Sequence, residues 1–216
     1  DDLAYELGRI GSARFIDNLE PRFGTVTPIP QVLYFSLTKQ LSDGECAALA
    51  RVMATAVEEG KELELIRNMY RAAALPKDAA SIMFMKKLRK LQLQVGSKTA
   101  FHASMTTRQL TYQNMVKELS DSTVSKSIMI DSPGHAMAAG VKVNGDKKVF
   151  YFYDPNFGYA TFSSADAMQG GLTRLFNDKK LVPQYRTHGT DQNSLEFIVF
   201  DHNDDWQKKN SVFRSD

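Results

Sequence analysis

The sequence predicts an α+β domain in which helices come first along the chain and an antiparallel sheet follows. Three observations favour this class. Apolar residues recur at helical spacing through residues 45–94, short apolar runs dominate after residue 126, and Asn144-Gly145 marks a two-residue hairpin turn between two of those runs. Helices and strands that segregate along a chain are typical of α+β architecture. We therefore expect a helical part over about residues 30–120, packed on a mainly β part over residues 121–216.

The predicted helices are bounded by glycine, by proline or by the loss of apolar spacing, and cover about residues 45–60, 61–74, 78–94, 107–119 and 164–176. In the third, the spacing places a set of apolar side chains on or near one face: Ile82, Met83, Met85, Leu88 and Leu91. Strands are predicted over residues 128–130, 135–143, 148–153 and 195–200, and residues 32–35 form a further short apolar segment that suits an extended conformation. Residues 1–27 carry turn signals without strong periodicity, so no helix is predicted there.

Composition and charge describe an ordinary globular chain. The 216 residues suit a single domain, 43% are apolar, and a net charge of +2 gives no reason to expect a nucleic-acid partner. No run approaches the roughly 20 apolar residues of a membrane-spanning helix. The densest basic cluster, residues 86–90, is interpreted as the solvated face of a helix. It leaves membrane association open without supporting it, because its apolar and basic residues do not separate cleanly in the sequence.

Cysteine and histidine usage limits the chemistry further. The single cysteine forms no internal disulfide, which fits a reducing compartment. One cysteine and four scattered histidines offer no metal-ligand spacing, so neither a metal nor another cofactor is expected. The chain begins Asp1-Asp2 rather than with methionine, and we expect it to be a piece of a longer protein.

A possible catalytic triad is spread over three segments. Cys46 lies where a loop containing Asp43-Gly44 gives way to the first predicted helix, and a helix N-terminus stabilises a thiolate. His135 begins one strand of the predicted hairpin and Asp154 ends the other, so antiparallel pairing places both at the open end, within about a residue of pairing. An imidazole oriented by a carboxylate can take the proton of a thiol. The pattern therefore predicts a nucleophile, a base and an orienting group.

Each of these residues also has a more common structural interpretation. A lone cysteine is usually a small buried residue, a histidine on a strand is usually packed, and Asp-Pro-Asn often forms a turn. The joint occurrence of all three favours catalysis. The alternatives left open for the base and for the orienting residue are His102, His188, His202, Asn156 and Asp131.

Three short blocks resemble the YopT-like cysteine proteases, a group of bacterial effectors and protease domains of large toxins: residues 43–49, 134–137 and 152–158. The resemblance implies a papain-like cysteine protease fold, with Cys46 as nucleophile, His135 as base and Asp154 as orienting residue. It also implies that Gln40, six residues before the cysteine, donates to the oxyanion. One departure is that the serine that often follows the family's cysteine is missing here.

The resemblance implies a function as well. We expect a secreted bacterial toxin or effector domain, acting in the host cell cytoplasm as a cysteine endopeptidase. Its substrate would be a host protein, such as a small GTPase or another membrane-associated signalling protein, or its own toxin chain, and a host activator is a further expected partner. Two other classes stay open: a thiol-dependent acyltransferase with the same triad, which the motif order disfavours, and an inactive binding or targeting module of the same fold.

Overall fold

The computed structural model describes residues 2–28, 45–96, 107–132, 135–185 and 195–202. The helices within these ranges are α1 Asp2–Leu19, α2 Glu45–Glu58, α3 Glu62–Ala74, α4 Ala79–Gly96, α5 Tyr112–Asp121, α6 Ala165–Phe176 and α7 Val182–Tyr185. The strands are β1 Thr25–Pro28, β2 Arg108–Thr111, β3 Lys126–Ser132, β4 His135–Asn144, β5 Lys147–Asp154, β6 Gly158–Phe162 and β7 Glu196–Asp201. The predicted α+β class is confirmed. The apolar segment at residues 32–35 lies outside the described residues.

All seven described strands form one antiparallel sheet, in the order β1-β6-β5-β4-β3-β7-β2. The predicted β4–β5 hairpin lies near its centre and pairs from Ala138 with Tyr153 to Asn144 with Lys147. The two outer strands, β1 and β2, both come before residue 121. The sheet therefore draws on the whole chain rather than on residues 121–216 alone.

Helices cover both faces of this sheet. Successive strand residues point to opposite faces, so Ala138, Tyr151 and Tyr153 share one core with α2, α3 and α4. On the other face, Met137 and Phe152 pack with α1, α5 and α6. On the first face α2 lies directly on β4, and both α3 and α4 pack against α2. The helices thus form two layers, where the sequence suggested one helical subdomain.

Helix α4 turns its apolar residues in two directions. Phe84, Leu88 and Leu91 are buried in the core, whereas Ile82 and Met83 are 55% and 45% exposed. The prediction placed Ile82 and Met83 on or near the face of Leu88 and Leu91, and for those two residues it is wrong. Positions 84, 88 and 91 repeat at the helical period and define the core side, and positions 82 and 83 fall outside that stripe.

Helix α1 and strands β1 and β6 were not predicted from the sequence. Gly11 in α1 weakens the helical signal, but the residue is needed for packing. A Cβ at that position would lie 2.5 Å from Phe157 Cε1. Phe15 and Leu19 of the same helix are fully buried, so tertiary packing stabilises a helix whose own sequence favours it weakly.

The helix predicted over residues 107–119 begins later than expected. Residues 108–111 form β2 and pair with β7, with Arg108 opposite Val199. Thr111 then caps α5, because its side-chain oxygen accepts a hydrogen bond from the backbone N–H of Asn114 at 3.2 Å. A threonine in this position is a favoured helix start. The first part of the predicted helix is therefore a strand.

Candidate active site

His135 and Asp154 meet at the open end of the β4–β5 hairpin. His135 Nε2 lies 2.8 Å from Asp154 Oδ1. Asp154 is fully buried and His135 is 9% exposed. A hydrogen bond this well shielded from water is electrostatically stronger than one at the surface. The structure therefore brings together the imidazole and the carboxylate that the sequence pointed to.

The register of the hairpin differs by one residue from the prediction. Gly145, with a φ of 61°, and Asp146 form the turn, and Asn144 is paired with Lys147. Moving the turn by one residue shifts every cross-strand partner by two, which keeps each side chain on the same face. Asp154 consequently lies diagonally across from His135 rather than directly opposite, within reach of the longer imidazole side chain.

Asp154 is held by two further donors. The backbone N–H of Asn156 donates to Oδ1 at 2.9 Å, and the hydroxyl of Tyr185 donates to Oδ2 at 2.6 Å. Burial, followed by the neighbouring Asp154 charge, raises the pKa of Tyr185 well above its ordinary value, so the phenol stays protonated and donates. Sequence reasoning missed Tyr185, which lies 31 residues after Asp154 in the short helix α7 and belongs to no motif.

The two ring nitrogens of His135 have different environments. Because Nε2 bonds to the carboxylate, the proton taken from a nucleophile would be carried by Nδ1. A carboxylate at one nitrogen favours the tautomer that is protonated there and stabilises the imidazolium once it forms. This geometry suits general base catalysis followed by general acid catalysis at the same ring.

Cys46 is the second residue of α2, which begins at Glu45. The predicted position of the cysteine at a helix N-terminus is therefore confirmed. The Cys46 side chain and the whole of Gln40 lie outside the described residues. Their roles as nucleophile and oxyanion donor stay predictions.

The direction of α2 relates its N-terminus to the His135–Asp154 pair. Its far end lies at the hairpin turn, where Val57 lines a cavity together with Asn144. A Cβ on Gly60, just beyond the helix, would lie 3.4 Å from Lys142 Nζ. Fourteen helical residues span about 20 Å, close to the roughly 23 Å of strand between Lys142 and His135. The N-terminus of α2 is thus directed to the level of His135.

The alternatives for base and orienting group occupy other places. His202 lies near the far end of α2, where its Nε2 is 3.0 Å from Thr55 Oγ1. His102 and His188 lie outside the described residues. Asp131 is exposed on β3. The backbone N–H of Asn156 donates a hydrogen bond to Asp154. Among the described residues, no group of three or more His, Cys, Asp or Glu is arranged to hold a metal ion.

Comparison with known proteins identifies the family of this fold. The model of the Mcf1 protease effector domain matches residues 10–204. The chain belongs to the Mcf1 protease effector domain family. It is 30% identical over 203 residues to the multifunctional-autoprocessing repeats-in-toxin protein of Vibrio vulnificus, a match covering 81% of the chain and 4% of the toxin. The fold also resembles PatoxP, a cysteine protease-like domain of the Photorhabdus asymbiotica toxin PaTox, with a TM-score of 0.64 and 19% identity over 92% of this chain and 60% of that one.

By its family the chain is thus a protease effector domain, its fold is cysteine protease-like, and the relatives it matches are bacterial toxins. At this level the prediction from the sequence is confirmed. The chain spans a small part of the toxin it matches. The narrower resemblance to the YopT-like group stays a prediction. None of the described helices combines the length and apolar character needed to cross a bilayer.

Proposed function

We propose that the chain is a cysteine endopeptidase with Cys46 as nucleophile, His135 as general base and Asp154 as the orienting carboxylate. The observation that carries the proposal is the buried 2.8 Å contact between His135 Nε2 and Asp154 Oδ1. It supports the proposal because it lies at the end of the hairpin toward which the N-terminus of α2 is directed, and Cys46 is the single cysteine of the chain.

The first half of the reaction forms an acyl-enzyme. The Cys46 thiol gives its proton to His135 Nδ1, and the thiolate attacks the carbonyl carbon of the scissile peptide bond. The resulting tetrahedral intermediate carries a negative oxygen. It collapses as the C–N bond breaks and His135 returns the proton to the leaving amine. The product is a thioester between Cys46 and the acyl half of the substrate.

The second half regenerates the enzyme. His135 takes a proton from water, and the hydroxide attacks the thioester carbonyl. The C–S bond then breaks, His135 returns its proton to the departing Cys46 sulfur, and the acid product leaves. In both halves, the backbone N–H of Cys46 and the side-chain amide of Gln40 are the proposed donors to the oxyanion.

The proposed substrate is a host protein, with a small GTPase or another membrane-associated signalling protein as candidates, or the toxin's own chain. Action in the host cell cytoplasm after secretion, and stimulation by a host activator, complete the proposal. They rest on the toxin class of the relatives and on the predicted YopT-like resemblance.

The test is proteolysis by the domain with host-cell protein added, read as new protein N-termini by mass spectrometry. We expect Cys46→Ala and His135→Ala each to lower the rate by at least about 10³-fold. The matched control is His202→Ala, which removes an imidazole bonded to Thr55 near the other end of α2 and should leave the rate unchanged. Undiminished cleavage by Cys46→Ala would overturn the assignment.

The same experiment separates the other two classes. An acyltransferase would need an acyl donor, leave peptide bonds intact and add the mass of an acyl group to its substrate. A binding module would produce neither cleavage nor mass gain in the presence of any candidate protein.

A further inference from the structure

Helix α4 presents a mixed apolar and basic surface to solvent. We call this surface the α4 outer face, and define it by Ile82, Met83, Lys86, Arg89, Lys90 and Leu93. Positions 82, 86, 89 and 93 repeat at the helical period, so they form one stripe about 16 Å long. Positions 83 and 90 lie beside it. The apolar members are well exposed, at 55% for Ile82, 45% for Met83 and 72% for Leu93.

The opposite side of α4 supplies the core contacts. Ser81, Phe84, Leu88 and Leu91 are buried, and the helix packs there against α2 and α3. The apolar residues of the α4 outer face are therefore not needed to fill the core. A single exposed apolar side chain needs no explanation, but three on one face of one helix indicate a surface that contacts a partner.

The charge of α4 indicates the chemistry of that partner. Residues 79–96 contain Lys86, Lys87, Arg89 and Lys90 and no aspartate or glutamate. Lys87 and Arg89 have interactions within the molecule, so the attraction of the α4 outer face to an anionic surface is assigned to Lys86 and Lys90. The exposed Ile82 and Leu93, near the two ends of the stripe, would gain nothing from a purely ionic partner such as nucleic acid. A surface that offers negative charge and an apolar layer just beneath it satisfies both groups.

We propose that the α4 outer face docks on an anionic lipid bilayer. In this arrangement the helix lies in the plane of the interface, with Ile82, Met83 and Leu93 at the boundary between headgroups and acyl chains. Lys86 and Lys90 contact the phosphate and carboxylate groups of the lipid headgroups. The inference is independent of the proposed protease mechanism, because it uses no residue of the candidate active site.

The experiment is co-sedimentation of the domain with vesicles of phosphatidylcholine, prepared with and without phosphatidylserine. We expect binding to the vesicles that contain phosphatidylserine. Lys86→Gln with Lys90→Gln should weaken this binding about 25-fold, at about fivefold for each charge removed. Ile82→Ser with Leu93→Ser should weaken it by about tenfold, because the apolar anchors are lost.

The matched control is Lys117→Gln with Lys179→Gln, which removes two exposed lysines from the other side of the sheet and should leave binding unchanged. Thermal unfolding of every variant verifies that the fold is retained. Equal binding to both kinds of vesicle, or equal loss in the control pair, would overturn the proposal. So would binding that depends on the lysines but not on Ile82 and Leu93, since that result would indicate a general polyanion site.

Discussion

At the residue scale, the buried carboxylate of Asp154 sets the geometry of the candidate site. Its oxygens are in hydrogen-bond contact with the His135 ring, the Asn156 backbone and the Tyr185 hydroxyl. A buried carboxylate without such partners would be strongly destabilising. The hydroxyl of Tyr185 therefore fixes where the carboxylate points, and through it the orientation of the imidazole. Tyr185 is a positioning residue in this account.

Tyr185→Phe should weaken both stability and activity. The substitution keeps the ring, which packs against Phe176 with centroids 5.0 Å apart, and removes only the donor to Asp154. Hydrogen bonds to charged groups contribute about 1.5–3 kcal/mol, so we expect a loss of that order in the free energy of unfolding. Proteolysis should fall about tenfold because His135 is held less firmly. Urea unfolding and the cleavage rate measure the two effects.

The control for this substitution is Tyr112→Phe. Tyr112 also packs against Phe176, with ring centroids 5.2 Å apart, but its hydroxyl forms a hydrogen bond with Thr173 Oγ1 at 2.9 Å. Its loss should cost about 1 kcal/mol of stability and leave the cleavage rate unchanged. An unaltered rate in Tyr185→Phe, or an equal drop in both variants, would contradict a positioning role for Tyr185.

The sequence predicted some of these residues and missed others for physical reasons. The proximity of His135 and Asp154 could be predicted because successive strand residues alternate between the two faces of a sheet. A one-residue error in the position of the turn shifts cross-strand partners by two and leaves every side chain on the same face. The role of Tyr185 could not be predicted, because its contact with Asp154 depends on how α7 packs in the core that contains Phe176. No local pattern encodes that packing.

At the scale of elements, α1 is joined to the segment between α6 and α7 through Asp178. Arg14 donates to Asp178 Oδ1 from Nη2 at 2.8 Å and from Nε at 3.2 Å, and Asn18 donates to Oδ2 at 2.9 Å. Burial opposes ionisation of this carboxyl, but these donors and the backbone N–H of Lys180 outweigh it and lower its pKa to about 2. The network ties the first helix of the chain to an element more than 150 residues away.

This pKa predicts a dependence of stability on pH. The folded pKa lies below the ordinary value of about 3.9, so the contribution is fully present above pH 4 and is lost as pH falls toward 2. We expect it to be about 2 kcal/mol at neutral pH and about half that at pH 3. Urea unfolding of wild type and Asp178→Asn at pH 6 and pH 3 measures it. A difference between the two proteins that does not shrink at pH 3 would contradict the assignment.

The spacing of apolar residues predicted the helices whose own sequences contain a regular apolar stripe. It did not predict the elements whose formation depends on packing against other elements. The regions of α2, α3, α4 and α6 were predicted, because their core residues recur at helical spacing. In α4 the sequence could not show which apolar residues face inward, since Ile82 and Phe84 are equally apolar and only packing against α2 and α3 distinguishes them. Strands β1 and β6 are four and five residues long, too short for a clear pattern.

At the scale of the molecule, the two cores share one sheet. One core joins α2, α3 and α4 to the first face, and the other joins α1, α5 and α6 to the second. Successive residues of the same strand, such as Ala138 and Ala139, belong to different cores. Loss of either layer would expose a face of the sheet. The interpretation of the chain as a single domain therefore predicts one cooperative unfolding transition.

Leu65→Ala and Leu172→Ala test this cooperativity, because they create cavities in different cores. Both leucines are fully buried, Leu65 on α3 and Leu172 on α6. Each substitution should lower the free energy of unfolding by about 2–5 kcal/mol and leave a single transition. Circular dichroism with hydrogen exchange of amides from both layers monitors it. Separate transitions, with each variant destabilising only its own layer, would show two independent units.

Pairing of Cys46 with His135 is best tested by the pH dependence of Cys46 alkylation. Cys46 is the single cysteine, so the rate with iodoacetamide reports one thiol. We expect the wild-type thiol to react well below the free-thiol pKa of about 8.5, and that reactivity to be lost in His135→Ala. Slow alkylation with an ordinary or raised pKa, indifferent to His135, would contradict the pairing and leave Cys46 as a structural residue.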